Sequence, residues 1–351
     1  MKHYETSFID YIKAVNNYNL HEDKEYIFNS LPNNFSELTN LIITGTSGIG
    51  KYSQSLKIIE KYSDTGLKYD KKITCSFEKQ PYIFKISDIH YEIDISMLGC
   101  NSKQLWHEIF FQIIDIVTIK QRKDAIILCK NFHTINSELL DIFYSYMQHN
   151  KINPNIDLKF IIITEHISFI PYNILNNCIS INYKRPSIEK YKKLFTLSNN
   201  TDNDNIKFLE RINKNNINIK DFDLINNIPE ANIINIKDFK YFNLINNDND
   251  IPEDIFNIVS DKLLTEIINF KKCSLLQIRD LLYDILTYNL DVYECVWYII
   301  YELIDNNYIN NNNYKNILNQ LYIQFKYYNN NYRPIYHLER IIYNIIINIS
   351  K

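Results

Sequence analysis

The stretch Leu41–Ile59, "LIITGTSGIGKYSQSLKII", reads as a buried strand, a glycine loop and the start of a helix. The apolar run ends at Gly45, and Leu56, Ile59 and Tyr62 then share one helical face. The loop nearly spells the phosphate-binding pattern G-x-x-x-x-G-K-[ST], with Gly45, Gly50 and Lys51 in register. In such a loop, backbone N–H groups and a helix N-terminus surround phosphate oxygens, and the lysine reaches the outer phosphates. The residues expected to form that cradle are Gly45, Thr46, Ser47, Gly48, Ile49, Gly50, Lys51 and Tyr52. The last one breaks the pattern. Tyr52 stands where the compact hydroxyl of Ser or Thr would hold Mg²⁺, and Ser53 comes one residue late on the helix. The ligand this loop suggests is ATP or ADP, bound weakly and with little to hold Mg²⁺.

Working outward, apolar strands alternate with amphipathic helices as far as about residue 184. "AIILCKNF" and "LKFIIITEH" are buried strands, and "YIFKISDIHYEIDIS" alternates in part like paired strands. "SKQLWHEIFFQIIDIVTIK" and "INSELLDIFYSYMQHN" carry helical spacing, with Ser102 expected to cap the first. Trp106 and Phe110 lie four apart on that helix and are most simply core. The alternation predicts a parallel sheet with helices on both faces. The expected organisation is a lead-in over 1–37, the α/β P-loop domain over 38–184, a small helical lid over 185–250 and a larger helical domain over 251–351. The last contains five long segments: "EDIFNIVSDKLLTEIINFKKC", "SLLQIRDLLYDILTYN", "VYECVWYIIYELIDN", "YKNILNQLYIQFKYY" and "PIYHLERIIYNIIINI". Several are apolar around more than one stripe, so each must bury one face in its own domain and another elsewhere.

Bulk properties exclude some classes. With 46% hydrophobic and 23% charged residues among 351, the chain can bury a sizeable core. A formal net charge of -3 gives no global positive field for nucleic acid, so DNA contact would need a local patch. The six cysteines show no C-x-x-C pair, which argues against a zinc ribbon and suits a reducing compartment. The N-terminal "MKHYETSFIDYIKAVNNY" has no apolar core of the signal-peptide kind. No uncharged apolar run reaches the roughly 18 residues of a membrane span.

A P-loop that hydrolyses its nucleotide also needs acidic residues at the end of a second buried strand, one for the metal and one for the attacking water. The matching strand ends in Cys129 and Lys130. Lys130 is expected to be a solvated strand-end lysine. Asp94, ending "YEIDIS", is the nearest substitute carboxylate, although it does not follow the usual strand lead.

Five segments, "LTNLIITGTSGIGKYSQSLKII", "HYEIDISMLGCNSKQLWHEIF", "AIILCKNFHTINSELLDIFYSYMQ", "FIIITEHISFI" and "RPSIEKYKKL", together resemble the AAA+ small subunits of clamp loaders of the replication factor C type. The likeness is nearest to the subunit whose own P-loop is atypical. "PIYHLERIIYNI" is similar to the last helix of that family's collar. The resemblance spans roughly residues 38–351 and is weak over 200–330. It implies an AAA+ α/β domain, a helical lid and a helical collar. The implied partners are the other loader subunits of a hetero-pentamer, a sliding clamp, and primer-template DNA reached through the complex. It also implies an intracellular place, the nucleus or a cytoplasmic viral replication compartment, and the Asn-, Ile-, Tyr- and Lys-rich composition suits a large DNA virus.

The departures from that family are systematic. Cys129 and Lys130 replace its Walker B carboxylates, and Glu165 replaces the asparagine that senses the γ-phosphate. Asn176, Asn177 and Cys178 replace Ser-Arg-Cys, so Asn177 cannot serve as an arginine finger. Tyr144 and Ser145 replace a basic pair that contacts DNA. The expectation is a non-catalytic structural subunit. Two alternatives stay open: an active P-loop ATPase using another carboxylate, and a nucleotide-free scaffold.

Overall fold

The computed structural model describes residues 7–77, 80–148, 155–187, 190, 255–271, 274–309, 313–328 and 333–349. The chain divides into two compact units, Met1–Leu194 and Phe195–Lys351.

The first unit opens with helices α1 (Phe8–Asn17) and α2 (Glu25–Ser30). A capping box starts α1: the Ser7 hydroxyl accepts from the Asp10 N–H, and the Asp10 carboxylate accepts from the Ser7 N–H. Then come β1 (Asn40–Thr44), α3 (Lys51–Glu60), β2 (Lys71–Phe77), β3 (Gln80–Ile86), β4 (His90–Asp94) and α4 (Ser102–Ile119). β5 (Asp124–Lys130), α5 (Ser137–Met147), β6 (Asp157–Thr164), α6 (Tyr172–Leu175) and β7 (Cys178–Asn182) complete the described elements. The strands form one seven-stranded sheet in the order β2-β3-β4-β5-β6-β1-β7. From β4 to β7 every pairing is parallel, and β2 and β3 extend the β4 edge as an antiparallel hairpin.

Parallel strands covered on both faces must be apolar throughout, and β1 is: Leu41, Ile42 and Ile43 are all inaccessible. Alternation sends Ile42 to one core, with Tyr91, Ile93, Trp106, Phe110, Phe143 and Phe160. Leu41 and Ile43 join the other, with Phe8, Leu38, Leu56, Ile59 and Leu128. Trp106 and Phe110 are core, as their spacing predicted. Ser102 does not cap α4. Asn101 holds the cap position and Ser102 is the first helical residue, with its hydroxyl buried.

In the second unit all five segments read from the sequence are helices: α7 (Ile255–Ile268), α8 (Leu275–Thr287), α9 (Val292–Asp305), α10 (Tyr314–Tyr328) and α11 (Pro334–Ile349). They share a core that includes Leu263, Leu282, Val296, Ile299, Leu303, Leu338 and Ile342. Ser274 and Gln277 form a capping box on α8, and Asp291 caps α9. Arg279 on α8 pairs with the buried Glu339 on α11. The lid expected over 185–250 lies, apart from residues 185–187 and 190, outside the described residues. Among the described residues no helix is long and apolar enough to cross a membrane.

Candidate functional site

The parallel strands deliver their C-terminal ends to one edge of the sheet, where a crossover to a helix leaves room for a loop-bound ligand. β1 delivers the glycine loop there, in the interior of the parallel array between β6 and β7. Gly45, Gly48 and Gly50 all have positive φ, at 149°, 73° and 92°. At Gly45 the requirement is also steric. A Cβ there would lie 2.5 Å from the Tyr183 carbonyl oxygen and 2.5 Å from Ile49 Cδ1. Gly50 sits in the N-cap position of α3 with no capping side chain, so the first N–H groups of the helix face the loop. Lys51 is buried, and its ammonium donates to the carbonyls of Gly45 and Thr46, both at 2.6 Å. The expected cradle residues thus form a glycine loop at a helix N-terminus, with the Lys51 ammonium turned onto the loop's own carbonyls.

The lead-in segment braces this loop. His21 Nε2 lies 2.8 Å from the Ile49 carbonyl, and the His21 ring meets the Tyr183 ring edge-on at 4.8 Å. Asn19 accepts from Gln54 of α3 at 2.8 Å, and Lys190 donates to the Leu20 carbonyl at 3.0 Å. The cavity left beside Asn19, Phe28, Gln54 and Tyr183 is only about 10 Å³, the space of one water. Nothing in the sequence singled out His21, because its contact crosses from an irregular segment to a loop carbonyl.

The neighbouring strand ends are rebuilt around one residue that the sequence did not single out, Glu92 on β4. Register places Glu92 beside Leu128 and Asp94 beside Lys130. The Tyr52 hydroxyl donates to Glu92 Oε2 at 2.6 Å, and the Lys130 ammonium pairs with Glu92 Oε1 at 2.6 Å. Lys130 also lies 5.0 Å from the centre of the Tyr52 ring. The expectation that Lys130 is a solvated strand-end lysine therefore fails. Its side chain is 27% exposed and that of Glu92 only 7%, because a buried carboxylate requires a cation at that depth. Burial, followed by the Glu92 charge, pushes the Tyr52 phenol well above its usual range, so Tyr52 remains a neutral donor. The signal that could have revealed the cluster was a Glu inside an apolar strand, "HYEID", next to a strand ending in Lys.

This arrangement does not fit Mg²⁺, which wants hard oxygen ligands. Tyr52 and Lys130 take both Glu92 oxygens. Cys129 is fully buried, and burial pushes its thiol far up, so it offers no anionic ligand. Asp94 differs from its expected placement: it ends a strand that runs parallel to β5. Its carboxylate accepts from Asn131 at 3.0 and 3.1 Å and from the Ser96 hydroxyl at 2.6 Å. Asn131, at φ 52°, makes the turn that brings its amide there.

Glu165 follows β6, and its carboxylate lies 3.7 Å from His133 Nε2. Burial lowers the His133 pKa, with the Lys51 charge acting in the same sense. Burial, His133 and Lys51 together push His166 down to about 3, so it is neutral at pH 7. Asn177 donates to the Tyr144 hydroxyl at 3.2 Å and to the Asn173 carbonyl at 2.7 Å. The two positions where the resembling family has an arginine finger and part of a basic pair thus bond to each other here. Ser145 donates to the Ile142 carbonyl of its own helix, and Asn176 closes α6.

No protein-family model matches the chain, and no curated protein matches it in sequence. Among solved structures, it is similar to the RuvB Holliday junction branch migration motor of Thermotoga maritima. That match has 10% identity, covers 72% of this chain and 78% of that one, and has a TM-score of 0.39. It is also similar to PCH-2 of C. elegans, at 14% identity over 74% of this chain and 62% of that one, with a TM-score of 0.37. The α/β P-loop sheet and the C-terminal helical region expected from the sequence are both present.

Proposed function

We propose that the chain is a non-catalytic, structural subunit of a clamp-loading assembly of the replication factor C type. In this reading the P-loop is a folding element that retains weak affinity for ATP or ADP and does not hydrolyse it. The observation that supports the non-catalytic reading is the Tyr52–Glu92–Lys130 cluster, with both carboxylate oxygens engaged where hydrolysis would need a metal ligand and a base. Residues 251–351 join it to the other subunits of a hetero-pentamer, and a sliding clamp and primer-template DNA are met through that complex.

The purified chain is expected to show no ATPase activity above a Lys51→Ala control. Association is tested separately, by recovering partners on the tagged full chain and on a chain lacking 252–351, with circular dichroism verifying the sheet domain. Recovery of loader subunits by the full chain alone supports the assignment. A stable monomer that captures none overturns it.

A second reading, an active P-loop ATPase, is favoured by one observation: Asp94 ends a parallel strand directly beside Lys130. Turnover abolished by both Lys51→Ala and Asp94→Asn would select it. A nucleotide-free scaffold would show neither turnover nor loader partners.

A further inference from the structure

Helix α9 carries two apolar stripes. One faces the core through Val292, Cys295, Val296, Ile299 and Leu303. The other is Trp297, Tyr301 and Ile304, and it is 49%, 63% and 41% exposed. The 4-3 spacing of Trp297, Tyr301 and Ile304 keeps these side chains on one seam, the spacing with which a helix meets another helix. Isolated exposed apolar residues need no explanation, but a contiguous seam of Trp, Tyr and Ile does. Trp and Tyr are the residues that dominate binding energy at protein interfaces.

The charge around the seam selects the occupant. Every charged residue on α9 is acidic: Glu294, Glu302 and Asp305. Asp261 of α7 adds to the same flank, where it accepts from the Tyr298 hydroxyl at 2.6 Å. Burial first, and then Asp261 and Glu302, raise the Tyr298 phenol. On the opposite flank Tyr293 is buried against Phe325 of α10, with ring centres 4.4 Å apart. Two copies meeting seam to seam would bring carboxylate against carboxylate, which is unfavourable.

We propose that the Trp297–Tyr301–Ile304 seam docks a helix of a different protein, apolar along its centre and edged with lysine or arginine. This deepens the assembly role of residues 251–351 and rests on it for the partner being a subunit. The probes are two synthetic amphipathic helices of about 20 residues with the same leucine seam, one edged with Lys and one with Glu. Trp106 is fully buried and the chain has two tryptophans, so a change in emission on titration reports Trp297. The full-length chain is expected to bind the Lys-edged helix saturably, with a blue shift that weakens as salt rises. Tyr301→Ala should weaken binding about tenfold. Glu302→Lys with Asp305→Lys should switch preference to the Glu-edged helix while leaving the thermal unfolding midpoint in place. Equal binding of both helices, or unchanged binding by Tyr301→Ala, overturns the proposal. So does a dimer in sedimentation that Trp297→Ala dissolves. Loader subunits captured equally by wild type and by the charge-reversed chain would overturn this seam and leave the assembly role standing. Peptide discrimination without loader capture would do the reverse.

Discussion

The β1–α3 cradle and the β4–β5 strand ends lie at the same edge of one sheet, yet they have departed to different degrees from the pattern of a nucleotide hydrolase. The cradle retains three positive-φ glycines and a buried lysine. The strand ends carry Cys129 and Lys130 where carboxylates would act. The difference follows from what each residue does for the fold. Gly45 cannot gain a Cβ without meeting the Tyr183 carbonyl, and Lys51 bonds two loop carbonyls. These residues serve the stability of the loop itself. The strand ends instead keep a structural ion pair, Lys130 on the buried Glu92, in place of carboxylates that would serve chemistry.

The largest expected effect tests the cradle side. Gly45→Ala should destabilise the chain by about 3 kcal/mol, combining backbone strain with the clash at Tyr183. Urea unfolding measures it, and a loss under about 1 kcal/mol would mean that the loop keeps its glycine for ligand binding alone.

On the strand-end side, Lys130→Ala should cost about 2 kcal/mol, less than a fully buried pair because the lysine is 27% exposed. Glu92→Gln with Lys130→Met should recover most of that loss, since replacing both partners removes the uncompensated buried charge. If the double variant is worse than Lys130→Ala, the ion pair is not what holds these strand ends.

The contrast also explains what could be read from the sequence. The cradle was legible because its glycines, lysine and flanking apolar runs are contiguous and obey local rules of turn and period. β5, β6 and the helices of the second unit were legible for the same reason. The Tyr52–Glu92–Lys130 cluster was not, because its members lie on α3, β4 and β5 and meet only in the assembled sheet domain. β2 was also missed: "KKITCSF" has Lys71, Lys72 and Thr74 exposed on an edge strand, which hides the apolar alternation. Ser102 was misplaced as a cap by one position, the ordinary uncertainty of a helix boundary.

A third test concerns pH. His90 is fully buried, with Nδ1 2.6 Å from the Ser87 hydroxyl, and burial pushes its pKa down to about 3. Its unfolded value is about 6.5. The unfolded chain therefore binds the proton first, and stability falls as pH drops below about 6.5, by up to about 1.4 kcal/mol per unit for one such group. His166 adds to the slope in the same direction. Unfolding midpoints measured from pH 7 to 5 should fall, and His90→Phe should flatten the curve by about one proton's worth. A pH-independent midpoint would show that burial does not lower the His90 pKa, so that it titrates alike in both states.

The smallest effect is expected where the departures from the resembling family meet at the surface. Asn177→Ala removes an exposed amide that bonds Tyr144 at 3.2 Å and the Asn173 carbonyl at 2.7 Å. Tyr144→Phe removes only the partner hydroxyl. Both side chains remain in contact with water once the bond is broken, so no buried group is left unsatisfied, and each change should fall within about 0.5 kcal/mol. In the double variant the Asn173 bond is lost with Asn177, so the coupling between the two should be only a few tenths of a kcal/mol. A near-zero result would show that the fold does not dictate residue identity at these positions, unlike Gly45 or Lys130. A loss above about 1 kcal/mol would move them to the cradle's class, as residues that the α5–α6 packing itself requires.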